Sequence, residues 1–271
     1  MKKKLTLKEV QERELIILNY VHQLCIENDI HYALIGGALL GAHHLKGFIP
    51  ADDDIDIGLL RPEYEKLIAL LEGQSEFPLM ALEMGNSPYL FAKLTDSETV
   101  QRSSHLELNG FGVYVDIFPF DILPDDVKEA ENFKLQVRRN GAIKSSFKAK
   151  ATSGKWWQVA VKTMRFSPEI CYNRLVKGKM SERLLKVKEL SSRYARTDGK
   201  SCAFIASKYG DRDTLPRENF QDFVDVEFEG KIYQTFAGYE DYLLRMYGEY
   251  NPNKSHQTHG YYHFYWRKKS K

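Results

Sequence analysis

The stretch Gly36-Gly37-Ala38-Leu39-Leu40-Gly41-Ala42, followed by Lys46-Gly47-Phe48-Ile49-Pro50-Ala51-Asp52-Asp53-Asp54-Ile55-Asp56-Ile57-Gly58, decides the fold and points to the chemistry. From Asp52 to Ile57 acidic and apolar residues nearly alternate. In a strand, residues two apart share a face. The spacing therefore predicts a strand with Asp52, Asp54 and Asp56 on one side and Asp53, Ile55 and Ile57 on the other. Three carboxylates on one face repel one another unless a cation lies between them. Oxygen ligands at this density suit a hard cation, Mg²⁺ or Mn²⁺. A solvated acidic turn is the alternative, and the Ile55/Ile57 pair and the upstream glycines argue against it. An EF-hand loop is excluded: counted from Asp52, its glycine position holds Ile57, although Glu63 stands at its final position.

Working outward, Tyr32 to Ile35 reads as a short buried strand and Ala38 to His44 as a short helix. Gly36-Gly37 between them lets a phosphate approach backbone N–H groups at a helix N-terminus. A glycine pair alone is a weak signal, because strand-end glycines often only turn the chain. With an acidic strand about 17 residues later, it places a phosphate cradle beside a metal site. Residues 6–28 form an amphipathic pattern, with Thr6 and Glu9 spaced as a capping box. A helix starts at Arg61-Pro62-Glu63, with Pro62 near its first position, and ends near Gly73. Strands are expected near 79–84, 89–95, 98–103, 112–118, 202–206 and 222–228. Pro119 and Pro124 bound the exit of the fourth of these. From Asp126 to about Tyr194 the pattern is mostly helical and basic, and Tyr239 to Tyr247 reads as a helix. The order implies an α+β fold with a mixed-sheet core and a basic helical insertion. The expected division is a core at 1–125, the insertion at 126–200 and a segment at 201–271 that completes the active site.

Composition narrows the class. The chain has 271 residues, 43% hydrophobic and 13% aromatic, enough for a sizeable core. No apolar run is long enough to span a membrane. No apolar stretch follows Lys2-Lys3-Lys4, so no signal peptide is read there. Cys25, Cys171 and Cys202 are widely spaced, which argues against a disulfide framework or zinc site and fits a reducing cytoplasm. The net charge of +2 is unevenly spread: residues 134–188 hold fifteen Lys or Arg and two acids. That asymmetry concerns partners rather than fold.

A two-metal phosphoryl-transfer site needs a further carboxylate from another strand. Asp116, within the apolar run Val113-Tyr114-Val115-Asp116-Ile117-Phe118, is the best candidate, with Asp121 as its substitute. An edge-strand acid facing solvent is the alternative for Asp116. Lys93 and Arg102, on neighbouring strands, are candidate phosphate ligands, although lysines at such spacing are often only exposed.

These blocks closely resemble the LicD family. The resemblance continues at Val115-Asp116-Ile117-Phe118-Pro119-Phe120-Asp121 and at Tyr247-Gly248-Glu249-Tyr250, with a Pro and a His downstream. That family contains phosphocholine transferases, is related to the fukutin-type phosphotransferases, and has a nucleotidyltransferase-like fold typified by DNA polymerase beta. The resemblance implies transfer of phosphocholine from CDP-choline, with CMP leaving, to a hydroxyl of a cell-surface glycan precursor such as a teichoic acid or lipopolysaccharide unit. It makes Asp54, Asp56 and Asp116 metal ligands, with Asp52 joining them around Mg²⁺ or Mn²⁺, two ions being expected. One of these carboxylates would deprotonate the acceptor. His259, or His256, would contact donor phosphate. Gly36, Gly37, Lys46, Lys93 and Arg102 are the expected substrate-binding residues. Two departures stand beside the donor site: Ala51 where the family often has Trp, and His44-Leu45 where it often has Arg-His. They leave the donor open between choline phosphate and a ribitol or glycerol phosphate.

A quaternary ammonium is best held by aromatic rings. Trp156-Trp157 and the cluster from Tyr261 to Trp266 offer such rings, with core packing as the alternative. The basic segment at 134–188 suits a peripheral contact with anionic lipid, an anionic polymer acceptor, or a solvated helical face. A lipid-linked acceptor made in the cytoplasm would unite the first two. A nucleotidyltransferase would share the glycines and acids, but the Lys46–Pro50 block points away from it. Nucleic acid is not expected as a partner, because packed carboxylates repel a polyanion.

Overall fold

The capping box at Thr6 forms as predicted. The Glu9 backbone N–H donates to Thr6 Oγ1 (3.2 Å) and the Thr6 N–H donates to Glu9 Oε2 (2.8 Å). Satisfying these donors stabilises a helix start by about 1 kcal/mol. The computed structural model describes residues 3–74, 76–87, 89–103, 107–108, 111–141, 149–150, 180–195, 197–205, 207, 209–249 and 262–267. The capped helix is α1 (Leu7–Glu27), whose buried face carries Val10, Ile17, Leu18 and Val21. Then come β1 (Ala33–Ile35), α2 (Gly36–Leu45), β2 (Ile55–Leu60) and α3 (Arg61–Gln74). After α3 follow β3 (Leu79–Met80), β4 (Ala92–Thr95), β5 (Thr99–Ser103), β6 (Glu107–Leu108) and β7 (Tyr114–Leu123). Next are α4 (Val127–Gly141), β8 (Ala149–Lys150), α5 (Met180–Ser191), β9 (Ser201–Ala203) and β10 (Leu215–Pro216). The chain closes with β11 (Phe223–Phe228), β12 (Lys231–Phe236), α6 (Tyr239–Tyr247) and β13 (Tyr262–Trp266).

The main sheet runs β1-β2-β7-β4-β3, with β9 and β10 continuing beyond the far half of β7. Only β2 and β7 pair in parallel; the other described pairs are antiparallel. The chain is thus α+β with a mixed sheet, as the sequence implies. Ile55, Ile57, Val115 and Ile117 are wholly buried along the central pair. Each such side chain contributes roughly 1.5–3 kcal/mol. Helices α1, α2 and α3 pack on this sheet, and the β11–β12 hairpin packs against α2 and β1. A second sheet runs β13-β5-β6-β8.

Three local expectations are corrected. Asp52, Asp53 and Asp54 precede β2 rather than lying in it. Ala51 takes a left-handed φ of 73°, and the Asp52 N–H bonds back to the Ile49 carbonyl at 3.0 Å, so the acids enter through a turn. Pro119 does not end its strand: β7 runs through it to Leu123. It falls between the pairing of β4, which stops at Ile117, and that of β9, which starts at Asp121. The missing N–H therefore forfeits no ladder bond on that side. Strands β12 and β13 were not expected. The first completes a hairpin whose turn, Glu229-Gly230, has positive φ at both residues.

Much of the basic segment, including Trp156 and Trp157, lies outside the described residues; α4 and α5 on either side of it pack against each other. Cys25 and Cys202 are buried free thiols. Among the described residues, no helix is long and apolar enough to cross a membrane.

Candidate active site

The parallel pairing of β2 with β7 sets Asp56 beside Asp116. On its other edge β7 pairs with β4, which sets Lys93 against the same Asp116. The ammonium closes that gap: Lys93 Nζ lies 2.5 Å from Asp116 Oδ1, and both side chains are buried. Three rings surround the ammonium. Its distances to ring centroids are 3.5 Å for Tyr114, 5.0 Å for Phe91 and 5.1 Å for Tyr89. Lys93 thus neutralises a site carboxylate.

The acidic turn folds back over the start of α2. A Cβ added at Gly36 would lie 2.7 Å from Asp56 Oδ2, and one added at Gly37 would come closer still to Asp52 Oδ2. Gly36 also has φ +64°, and its N–H donates to the Tyr242 hydroxyl at 3.2 Å. Two glycines are needed because carboxylates pass directly above the backbone. The positive end of α2 therefore faces Asp52 and Asp56.

Electrostatics bear the marks of crowding. Burial pushes the Asp52 carboxyl up to about 7, with repulsion from Asp54 and Asp53 adding to it. Burial raises Asp116 to about 6 against the opposing pull of Lys93. Asp56 is raised well above the carboxylate range by burial, then by Asp54 and Asp116. Asp52 Oδ2 has no hydrogen-bond partner among the described residues. A divalent cation would relieve all three effects, and the donors present are the hard oxygens that Mg²⁺ or Mn²⁺ prefers. The residues therefore fit such an ion. Among the described residues no three His, Cys, Asp or Glu side chains already converge as a preformed cage. Strand register brings Asp56 beside Asp116, and the acids lie close enough to repel one another.

The remaining expected residues are more scattered. Lys46 is exposed and ends α2 with φ 60°. Its carbonyl accepts from the Glu229 N–H at 2.8 Å, while Glu229 Oε1 accepts from the Phe48 N–H at 3.0 Å. The β11–β12 turn thereby clasps the loop leading to the acids. Arg102 stands on β5 in the second sheet, opposite His263 and Glu107, with its guanidinium 5.3 Å from the Tyr265 ring. Asp121 forms a buried two-pronged ion pair with Arg61, at 2.7 and 2.8 Å. His256 and His259 lie outside the described residues. Of the C-terminal aromatics, Phe264 and Trp266 pack with Leu5, Val10, Val113 and Tyr114 in a small core.

Comparison with known proteins bears directly on this geometry. Residues 29–165 match the family model described as LicD/FKTN/FKRP, nucleotidyltransferase domain. Lipopolysaccharide cholinephosphotransferase LicD of Haemophilus influenzae is 30% identical over 254 residues, 92% of each chain. The chain belongs to the LicD family. Uncharacterized proteins of Rickettsia prowazekii and Rickettsia typhi are each 40% identical over 47 residues, 17% of this chain and 18% and 15% of theirs.

The LicD-family match spans Gly36, Gly37, Lys93, Asp116 and the acidic turn. The family model, matched at residues 29–165, does not reach two site residues that sequence reasoning missed, Glu14 and Tyr242. Glu14 lies wholly buried on α1, and the charges of Asp54, Asp53, Asp52 and Asp116 bear on it. A signal was present: Glu14 falls on the apolar stripe between Val10 and Ile17-Leu18, where a charged residue is costly. Tyr242 carried no comparable mark, because an aromatic on the buried face of a helix reads as core.

Proposed function

We propose that this chain transfers phosphocholine from CDP-choline to a hydroxyl of a lipopolysaccharide-type glycan, releasing CMP. As a LicD-family chain it is a transferase. The observation that carries the donor and acceptor is the near full-length likeness to a lipopolysaccharide cholinephosphotransferase. In the reaction the acceptor oxygen bonds to the phosphorus of the choline phosphate. The anhydride P–O bond to CMP breaks, and the acceptor proton passes to a carboxylate.

Asp54, Asp56 and Asp116, with Asp52 beside them, would hold Mg²⁺ or Mn²⁺. When bound, the ion supplies charge neutralisation for the phosphate oxygens and acidifies an attacking hydroxyl. The protein's own part is geometric. Parallel register fixes Asp56 against Asp116. The glycine pair admits Asp56 and Asp52 above the helix start, where N–H groups favour anions. Lys93 holds Asp116 in place, and the Glu229 turn steadies the loop before the acids. The basic segment would meet an anionic, lipid-linked acceptor at a membrane surface, and a teichoic acid precursor would meet the same chemistry.

A CDP-linked ribitol or glycerol phosphate is the second donor reading, left open by Ala51 and His44-Leu45 in the positions described above. Thermal shift with CDP-choline, CDP-ribitol, CDP-glycerol and CTP, each with Mg²⁺ and with EDTA, separates them. A selective, metal-dependent rise with CDP-choline, followed by acceptor-dependent CMP release, is expected. A rise with CTP alone would favour a nucleotidyltransferase and overturn the proposal.

A further inference from the structure

Helix α1 buries a carboxylate against the acidic turn. Glu14 is 0% exposed, and neither of its oxygens has a hydrogen-bond partner among the described residues. Its own helix is fastened to the turn: Gln11 Nε2 donates to the Asp52 carbonyl at 2.9 Å. The neighbouring cation is committed elsewhere, because Arg13 pairs with Asp96 at 2.8 Å through two nitrogens and with Glu98 at 3.0 Å. Lys93, the ammonium of the site, is given to Asp116. Burial raises the Glu14 carboxyl well above the carboxylate range, and Asp54, Asp53, Asp52 and Asp116 raise it further.

An ionised Glu14 so placed would cost several kcal/mol. A protonated Glu14 would still leave donor and acceptor unmet, at about 1–3 kcal/mol. A methyl or methylene group at this point of the stripe would cost neither. Positive charge arriving from the side of the turn, to which Gln11 of the same helix is bonded, would recover the penalty.

We propose that Glu14 is a further oxygen donor to the divalent cation, reaching it from α1 directly or through one of its bound waters. This rests on the cation site of the proposed function. It adds a helix-borne donor to the strand and turn aspartates, so the ion would tie α1 to β2 and β7. Mg²⁺ usually keeps several waters, which gives a carboxylate held slightly back from the ion a defined partner.

Titration calorimetry of the full chain with Mn²⁺ alone tests it, using wild type, Glu14→Gln, Glu14→Met and, as a surface control, Asp225→Asn. Melting temperature in EDTA is the second readout. Glu14→Gln and Glu14→Met should bind Mn²⁺ at least about tenfold more weakly, yet melt no lower than wild type in EDTA. Asp225→Asn should match wild type in both. Mn²⁺ affinity of Glu14→Gln within about twofold of wild type would overturn the inference alone. Failure of wild type to take up Mn²⁺ would overturn the cation reading together with it. Glu14→Met, which suits the apolar stripe, decides the matter if Glu14→Gln folds poorly.

Discussion

Asp56 and Asp116 are register partners on the parallel pair β2–β7, and Asp116 alone of the two is ion-paired to Lys93. The site therefore sets one neutralised carboxylate beside Asp56, which has no ion pair of its own among the described residues. On the proposed cation site, Asp54→Asn and Asp56→Asn should each cut transfer at least about a hundredfold, more than loss of a supporting residue would. Circular dichroism should show an unchanged fold, and melting in EDTA should not fall. Normal turnover by both variants would remove the cation assignment.

Lys93 should prove structural as well as electrostatic. Removing one member of a buried pair leaves the other uncompensated, at about 3–5 kcal/mol. Lys93→Met should lose that much in urea unfolding. The double variant Lys93→Met/Asp116→Asn should recover most of it. Equal losses in the single and double variants would show that the rings, rather than the ion pair, hold this corner together.

Gly36→Ala should damage the site from below. The new Cβ would press on Asp56 Oδ2, at a backbone φ of +64°. Strain of this kind costs about 1–3 kcal/mol. We expect that loss in stability and a reduced rise in melting temperature on adding Mg²⁺. A full metal-induced rise would mean that Asp56 can move aside without consequence.

The raised carboxylates carry a pH signature. Asp52 at about 7 and Asp116 at about 6 hold their protons more tightly in the folded state than the ordinary carboxylate value of 3.8 allows. The folded state is therefore favoured at low pH, and this contribution is lost as pH rises through those values. In EDTA, the difference in stability between Asp52→Asn and wild type should widen in the variant's favour from pH 5 to pH 8, an interval about one unit either side of the two pKa values. Saturating Mg²⁺ should abolish or reverse that trend. A constant difference across the interval in EDTA would contradict the raised value.

How much of this was legible follows from where each signal resides. Local signals read well. The Thr6–Glu9 capping box, the helix at Tyr239–Tyr247 and the buried Ile55/Ile57 pair depend on neighbours in sequence. The parallel fit of Asp56 with Asp116 was anticipated only as two acids on different strands, and their register is a tertiary fact. Alternation misled at Asp52–Asp54, because a left-handed Ala51 and a turn bond are invisible to a period-two pattern. Lys93 reads as a phosphate ligand in the sequence, and its pairing with Asp116 comes only from the β4–β7 register. Glu14 is one of four glutamates on α1, and acids on an amphipathic helix usually lie on its wet face.

The Glu229 clasp has a consequence for biosynthesis. Phe48 with Glu229, Leu34 with Thr235, and Gly36 with Tyr242 are contacts between residues 181, 201 and 206 positions apart. A nascent chain that has exposed only its glycines and aspartates lacks every one of these tethers. Contacts of such long range form slowly. During translation the acidic turn therefore has its bonds to Gln11 and Ile49 early, but lacks these three distant tethers until residues 229 to 242 have emerged.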